Sequence, residues 1–275
     1  MEDDNYIDVK NLHFSYENKK IFENLNIEFK KGKKYIIVGL NGCGKSTLLK
    51  LIGGKTLCEY DSIRVLNKDP FRDTSLNNNI AFLDNNWGMT SVAFAGYSLP
   101  LQSGLKVGDM MVKLKETFPD RNKELIDVLN INTEWKLNCI SEGQRKRVQL
   151  YLNLIKPFDI CLLDEITVNL DIIIKDRFMN YLKKECEKNN SCIIYITHIF
   201  DGLDNWCDNL LYLKQDGTVG YFDKKPNEPL YEFLLDLISS EKINKYEDEV
   251  YKNREKIEKN AGGYTSGTLI SHVLT

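Results

Sequence analysis

At 275 residues, 42% hydrophobic and 28% charged, the chain suits one large α/β domain, or a domain with a smaller appendage. A net charge of −3 supplies no global basic field, so no direct nucleic-acid partner is expected. Seven cysteines without a C-x-x-C pair suggest neither a disulfide framework nor a zinc site, and fit a reducing intracellular compartment. No run approaches the ~20 apolar residues of a membrane span, and the acidic start Met1-Glu2-Asp3-Asp4-Asn5 does not read as a signal or transit peptide.

Residues 6–16 alternate loosely, with Ile7, Val9, Leu12 and Phe14 apolar, and read as a strand pair. Residues 21–29 repeat the pattern, which suggests an antiparallel sheet beside the main core. Tyr16 lies ahead of a G-x-x-x-x-G-K-[ST] stretch at 39–46, the spacing of a phosphate-binding loop, and reads either as a ring that stacks on adenine or as a strand-end aromatic of the core; the pattern does not separate the two.

The buried-strand run Tyr35-Ile36-Ile37-Val38 leads into Gly39-Leu40-Asn41-Gly42-Cys43-Gly44-Lys45-Ser46-Thr47, and a helical run follows. The spacing G-x-x-x-x-G-K-[ST] in a strand–loop–helix context is a phosphate-binding loop. The glycines let backbone N–H groups turn toward phosphate oxygens, and the helix N-terminus adds its dipole. Gly39, Asn41, Gly42, Cys43, Gly44, Lys45, Ser46 and Thr47 are therefore the expected nucleotide-binding residues. Lys45 holds the β- and γ-phosphates in this reading, and Ser46 offers its hydroxyl to Mg²⁺. Cys43 reads either as a thiol beside phosphate or as a small filler of the loop.

Gly53-Gly54 stops the helix. Residues 62–66 read as a short strand, 67–79 as a surface loop, and Ile80-Ala81-Phe82-Leu83 as a buried strand. Residues 88–106 lack a period, and helical spacing follows over 107–118 and 121–129. Together with the next helix they define an expected helical insertion over about 88–156. Ser141 is a natural N-cap for a long amphipathic helix that Pro157 closes. Ile160-Cys161-Leu162-Leu163 is a two-faced buried strand ending in Asp164-Glu165, and Cys192 to Ile196 is another ending in Thr197-His198. Between them, 171–188 reads as a helix; beyond them, 210–213 and 219–222 read as a hairpin around Asp216-Gly217. The expected domains are 1–228 and a helical tail, 229–275.

Phosphate loop, Ser-x-Gly-Gln helix start, strand ending in Asp-Glu and strand ending in Thr-His occur in that order. Over about residues 6–223 the chain resembles the ATP-binding-cassette (ABC) ATPases. The resemblance implies an α/β P-loop core with an antiparallel β subdomain and a helical signature subdomain, and hydrolysis of ATP. Asp164 would hold Mg²⁺ opposite Ser46, Glu165 would orient the attacking water, and His198 would contact the γ-phosphate and that water. Ile140-Ser141-Glu142-Gly143-Gln144 matches the family signature, usually Leu-Ser-Gly-Gly-Gln, so Ser141, Gly143 and Gln144 would bind the nucleotide of a second subunit. Asn169-Leu170-Asp171 matches the loop that links the two sites across the interface. A homodimer with two sandwiched ATP molecules follows from the resemblance.

Transporter cassettes carry a Gln after the strand that here ends near Leu83; this chain has Asp84-Asn85-Asn86-Trp87, with Asn85 the nearest substitute as a metal ligand. Leu162 to Asp171, Thr197 to Leu203 and Gly96 to Gln102 are similar to soluble ABC ATPases without membrane domains. Those include a fungal factor associated with the Not transcription-regulatory complex and plant cassettes of the I subfamily. The resemblance implies a regulatory or assembly factor with a Not-type partner complex, in the cytoplasm or the nucleus. The alternative is the ATPase subunit of a transporter whose spanning subunits are separate chains.

Overall fold

The computed structural model describes residues 4–17, 19–84, 91–94, 97–99, 104–110, 112–224 and 227–241. The chain divides into two compact units, 1–230 and 231–275. In the second, residues 231–241 are helical.

Eleven strands are described: β1 (Asn5–Tyr16), β2 (Lys19–Lys30), β3 (Lys34–Gly39), β4 (Ile63–Val65), β5 (Ile80–Leu83), β6 (Ser91–Phe94), β7 (Tyr97–Leu99), β8 (Ile160–Asp164), β9 (Cys192–Ile196), β10 (Asn209–Leu213) and β11 (Val219–Lys224). The α-helices within the first unit are α1 (Lys45–Ile52), α2 (Val112–Thr117), α3 (Pro119–Val128), α4 (Glu142–Leu154) and α5 (Ile172–Asn189).

The central sheet has the order β11-β10-β3-β9-β8-β5. The five strands from β10 to β5 run parallel and only β11 is antiparallel. Every residue of β3, β8 and β9 is buried, as their unbroken apolar runs predict for strands covered on both faces. A second sheet, β2-β1-β4, is antiparallel. Here the structure corrects one expectation: 6–16 is a single long strand, not a pair. Bulges break its register, and Asn11, at φ 48°, sits at one of them with its backbone N–H donating to Asn26 Oδ1 at 2.9 Å. The left-handed region is tolerable for asparagine, so the kink that blurs the alternation stays inside one strand.

The first sheet and the antiparallel one share a core in which Ile7, Phe29, Leu48, Ile52, Leu162 and Ile194 are all fully buried. β6 and β7 pair as a hairpin ahead of the helical region. α3 contacts both α4 and α5, and α4 contacts β5.

A charged cluster closes the seam between α3 and α5. Arg121 Nη1 lies 2.7 Å from a Glu185 carboxylate oxygen, with both side chains largely buried. The guanidinium also donates from Nε to the Leu154 carbonyl at 2.7 Å and lies over the rings of Phe158 and Tyr181. Breaking such a pair from one side strands a buried charge. Glu185→Ala is expected to lower stability by about 3 kcal/mol or more. The double change Arg121→Met, Glu185→Leu is expected to recover most of that loss, both read from the urea midpoint.

Candidate nucleotide site

The site forms where the parallel strands end. β3 delivers the chain into the 39–44 turn at the middle of the sheet, and α1 starts at Lys45. Gly39 is required by a close backbone approach: a Cβ there would stand 2.3 Å from the carbonyl oxygen of Leu213 on the neighbouring β10. Lys45 is 6% exposed, and its Nζ donates to the carbonyls of Gly39 at 2.8 Å and Leu40 at 3.2 Å. The Lys45 side chain is thus held at the mouth of its own loop by two backbone acceptors.

One cleft of about 330 Å³ is lined by Tyr16, Lys19, Ile21, Asn41, Gly42, Gly44, Lys45, Ser46, Thr47 and Glu165. Seven of these residues were legible from motifs, and Tyr16 was left open between site and core. Lys19 and Ile21 were not legible. Their signal lay in the β1–β2 pairing, which sets Lys19 opposite Tyr16 across the turn. Tyr16 is 44% exposed, and its ring meets Phe14 edge-on at 4.9 Å. It is no core aromatic. Cys43 goes the other way: its side chain is buried in the core cluster and is not among the lining residues.

Asp164 ends β8, close to the Ser46 side chain. Burial raises its carboxyl above the ordinary aspartate value, and the neighbouring Glu165 and Asp84 push the same way, while the Ser46 hydroxyl opposes them. The next residue, Glu165, adopts φ 52°, a left-handed conformation that is costly for a glutamate. Its backbone N–H donates to the Ile196 carbonyl at 3.0 Å, which anchors the turn to β9.

Because Asp164 pairs in register with Ile196, the residues after each strand are neighbours. His198 Nε2 lies 3.1 Å from Glu165 Oε1. Thr197 shapes that turn, its hydroxyl accepting from the Ile199 N–H at 3.0 Å. His198 therefore meets the carboxylate directly and does not itself line the cleft.

The signature residues form a separate feature. Ser141 Oγ accepts from the Gln144 N–H at 3.2 Å, and Gln144 Oε1 accepts from the Ser141 N–H at 2.9 Å, a reciprocal capping box at the start of α4. Ser141, Gly143 and Gln144 are absent from the lining of the cleft. Further along α4, Lys146 Nζ at 3.2 Å and Gln149 Nε2 at 2.7 Å both donate to the Asp84 carbonyl, tying the helix to the end of β5. Burial pushes the Lys146 ammonium down to about 8. Asn85 lies outside the described residues.

The donor set next to the cleft suits a hard cation. Ser46 and Asp164 offer a hydroxyl and a carboxylate side by side, all oxygen, and no group of three or more His, Cys, Asp or Glu side chains converges among the described residues. Mg²⁺ takes one or two protein oxygens and completes its shell with phosphate and water, so these residues fit it.

A parallel α/β sheet with a glycine-rich turn, a buried lysine, and an Asp-Glu pair at the end of a buried strand beside a second strand end defines a P-loop NTPase cassette. The profile of the ABC transporter family matches residues 22–168, just over half of the chain. ABC transporter I family member 20 of Arabidopsis thaliana is 38% identical over 75% of this chain and 66% of its own length. Member 21 of the same plant is 37% identical over 76% of this chain and 75% of its own length. CCR4-associated factor 16 of Saccharomyces cerevisiae is 32% identical over 79% of this chain and 78% of its own length. The fold is shared with an ATP-binding cassette solved as a dimer in a post-hydrolysis state with ADP and Pi, at TM-score 0.65 and 22% identity over 80% of this chain and 99% of that one. The chain belongs to the ABC family and is an ATP-binding ABC ATPase cassette. No helix among the described residues is long and apolar enough to cross a membrane.

Asp164→Asn removes a carboxylate whose folded pKa is raised, which gives a signed prediction. The native state holds this proton more tightly than the unfolded chain, so the residue costs stability as pH rises through its folded pKa. Thermal midpoints measured against pH should show the Asn variant gaining most at neutral pH and losing its advantage in acid, while its ATPase activity is abolished.

Proposed function

We propose that two copies of this chain close around two ATP molecules, each site built from the phosphate loop of one copy and Ser141, Gly143 and Gln144 of the other. The observation that carries this is the separation of the two halves: the phosphate loop, Tyr16 and Glu165 line one cleft, and the signature residues do not line it. A helix N-terminus with a glycine in its first turn suits the γ-phosphate, and α4 offers that surface with its cap already satisfied internally. A dimer of identical chains supplies both halves twice.

Within each site the cleft residues divide the work. Tyr16 stacks on the base. Lys45 leaves the Gly39 and Leu40 carbonyls for the β- and γ-phosphates. Ser46 and Asp164 hold Mg²⁺, which when bound neutralises phosphate charge. Glu165, oriented by His198, positions the attacking water in line with the γ-phosphorus and polarises it. Hydrolysis then removes the bridging γ-phosphate, and the two copies part.

The output is that of a switch and not of a pump. The Asp84-Asn85-Asn86-Trp87 segment stands in place of the glutamine by which transporter cassettes couple to membrane subunits, and the relatives include a factor named for its CCR4 association. We place the chain with regulatory or assembly factors of a Not-type complex, in the cytoplasm or nucleus, with residues 229–275 as an appended helical tail. Its free thiols fit a reducing compartment. Isolation from cells with a membrane subunit would instead favour the transporter reading.

Glu165→Gln keeps the phosphate loop and loses the base. On a sizing column it is expected to bind Mg-ATP, turn over negligibly and elute as a dimer, returning to monomer without nucleotide. Elution as a monomer at saturating ATP contradicts the sandwich. Lys45→Ala is expected to weaken ATP binding by about a hundredfold, measured by calorimetry; undiminished affinity rejects the phosphate-loop assignment.

A further inference from the structure

α4 starts with an acidic residue, Glu142, where the signature pattern Leu-Ser-Gly-Gly-Gln has glycine. A carboxylate suits a helix N-terminus. In the composite site this same N-terminus meets a γ-phosphate, and there a loose carboxylate repels. Glu142 is not loose. Its Oε1 accepts from Asn169 Nδ2 at 2.6 Å. Asn169 meets α4 at a second point, because a Cβ on Gly143 would stand 2.8 Å from the Asn169 carbonyl oxygen. The loop after β8 is thereby seated on the first turn of α4 in the same chain.

That loop has little slack. Glu165 is tied to Ile196 through its N–H, and Ile166 is fully buried. The Thr167 hydroxyl is 2.5 Å from the buried Tyr195 hydroxyl, and the Leu170 N–H donates to the Thr167 carbonyl at 3.2 Å. Asp171 closes the segment by capping α5, its carboxylate accepting from the Ile174 N–H at 3.0 Å. A shift of Asn169 therefore reaches the Glu165 backbone, already held at φ 52°, through a segment with few free torsions.

We propose that Glu142 is a positioning residue: through Asn169 it holds the 165–171 loop on α4 and so ties the orientation of Glu165 to what the signature binds. The inference rests on the composite-site reading for its purpose, but the link itself lies within one chain. A phosphate arriving at α4 from the second copy repels the Glu142 carboxylate and offers Asn169 a competing acceptor, and the loop carries that change to Glu165. A Gly at 142 cannot do this.

The test compares Glu142→Gly, Asn169→Ala, Glu142→Gln and the double variant Glu142→Gly, Asn169→Ala in the full chain, with kcat and KM measured separately. Neither residue lines the cleft. Each of the first two is expected to lower kcat about five- to tenfold with KM for ATP held within about twofold. The double variant should be no slower than either single one, since both cut one link. Glu142→Gln keeps an acceptor for Asn169 and should restore most of the rate. Amide exchange over 166–170 should quicken in Asn169→Ala without nucleotide, which separates the link from general unfolding. Losses that multiply in the double variant, or an unchanged kcat in both singles, overturn the proposal. A Glu165→Gln chain that elutes as a monomer at saturating Mg-ATP contradicts the homodimer, and the same kcat comparison still decides the link.

Discussion

The register between β8 and β9 holds the catalytic end of this molecule together. Asp164 pairs with Ile196, so the two turns that follow must run side by side. Glu165 then bonds to the Ile196 carbonyl and His198 reaches the Glu165 carboxylate. Slipping that ladder would separate all three. Buried apolar residues on both faces of β8 and β9 oppose any slip, because it would drive side chains out of a close-packed interior. The same sheet sets β3 between β10 and β9, which fixes the phosphate loop at the same edge.

Placing chemistry at that edge costs stability. Asp164 is a carboxylate held where burial disfavours its charge, and Glu165 occupies a backbone region that a glutamate avoids. Both costs fall at the end of β8, whose residues are all buried, so the core offsets them locally. The Arg121–Glu185 pair lies well outside the cleft and serves a different purpose. It ties the helical region to α5, close in sequence to the 165–171 loop that runs between the catalytic carboxylate and the signature helix.

Much of this was written in the chain because local chemistry allowed few alternatives. The phosphate loop, the Ser141 cap and the two-faced strands β3, β8 and β9 each depend on residue types at short spacing. Tyr16 and Cys43 were ambiguous for a physical reason: an aromatic or a thiol suits both core and site, and only the tertiary packing sends one to the cleft and the other inside. Lys19 and Ile21 were hidden because their place in the cleft comes from pairing across a hairpin, and bulges at asparagines such as Asn11 blurred the alternation that would have shown it. The Glu142–Asn169 contact joins residues 27 apart in sequence through a turn that no periodicity marks.

The central claim is that each nucleotide site is shared between two copies. Mixing two inactive variants tests it most directly. Lys45→Ala loses the phosphate loop and keeps the signature; Ser141→Arg loses the signature and keeps the loop. In a heterodimer the loop of the second faces the signature of the first, which makes one whole site. The account predicts that each variant alone is silent and that the mixture regains a fraction of the wild-type ATPase rate. A mixture as inactive as its parts, at concentrations where the wild type turns over, would contradict it.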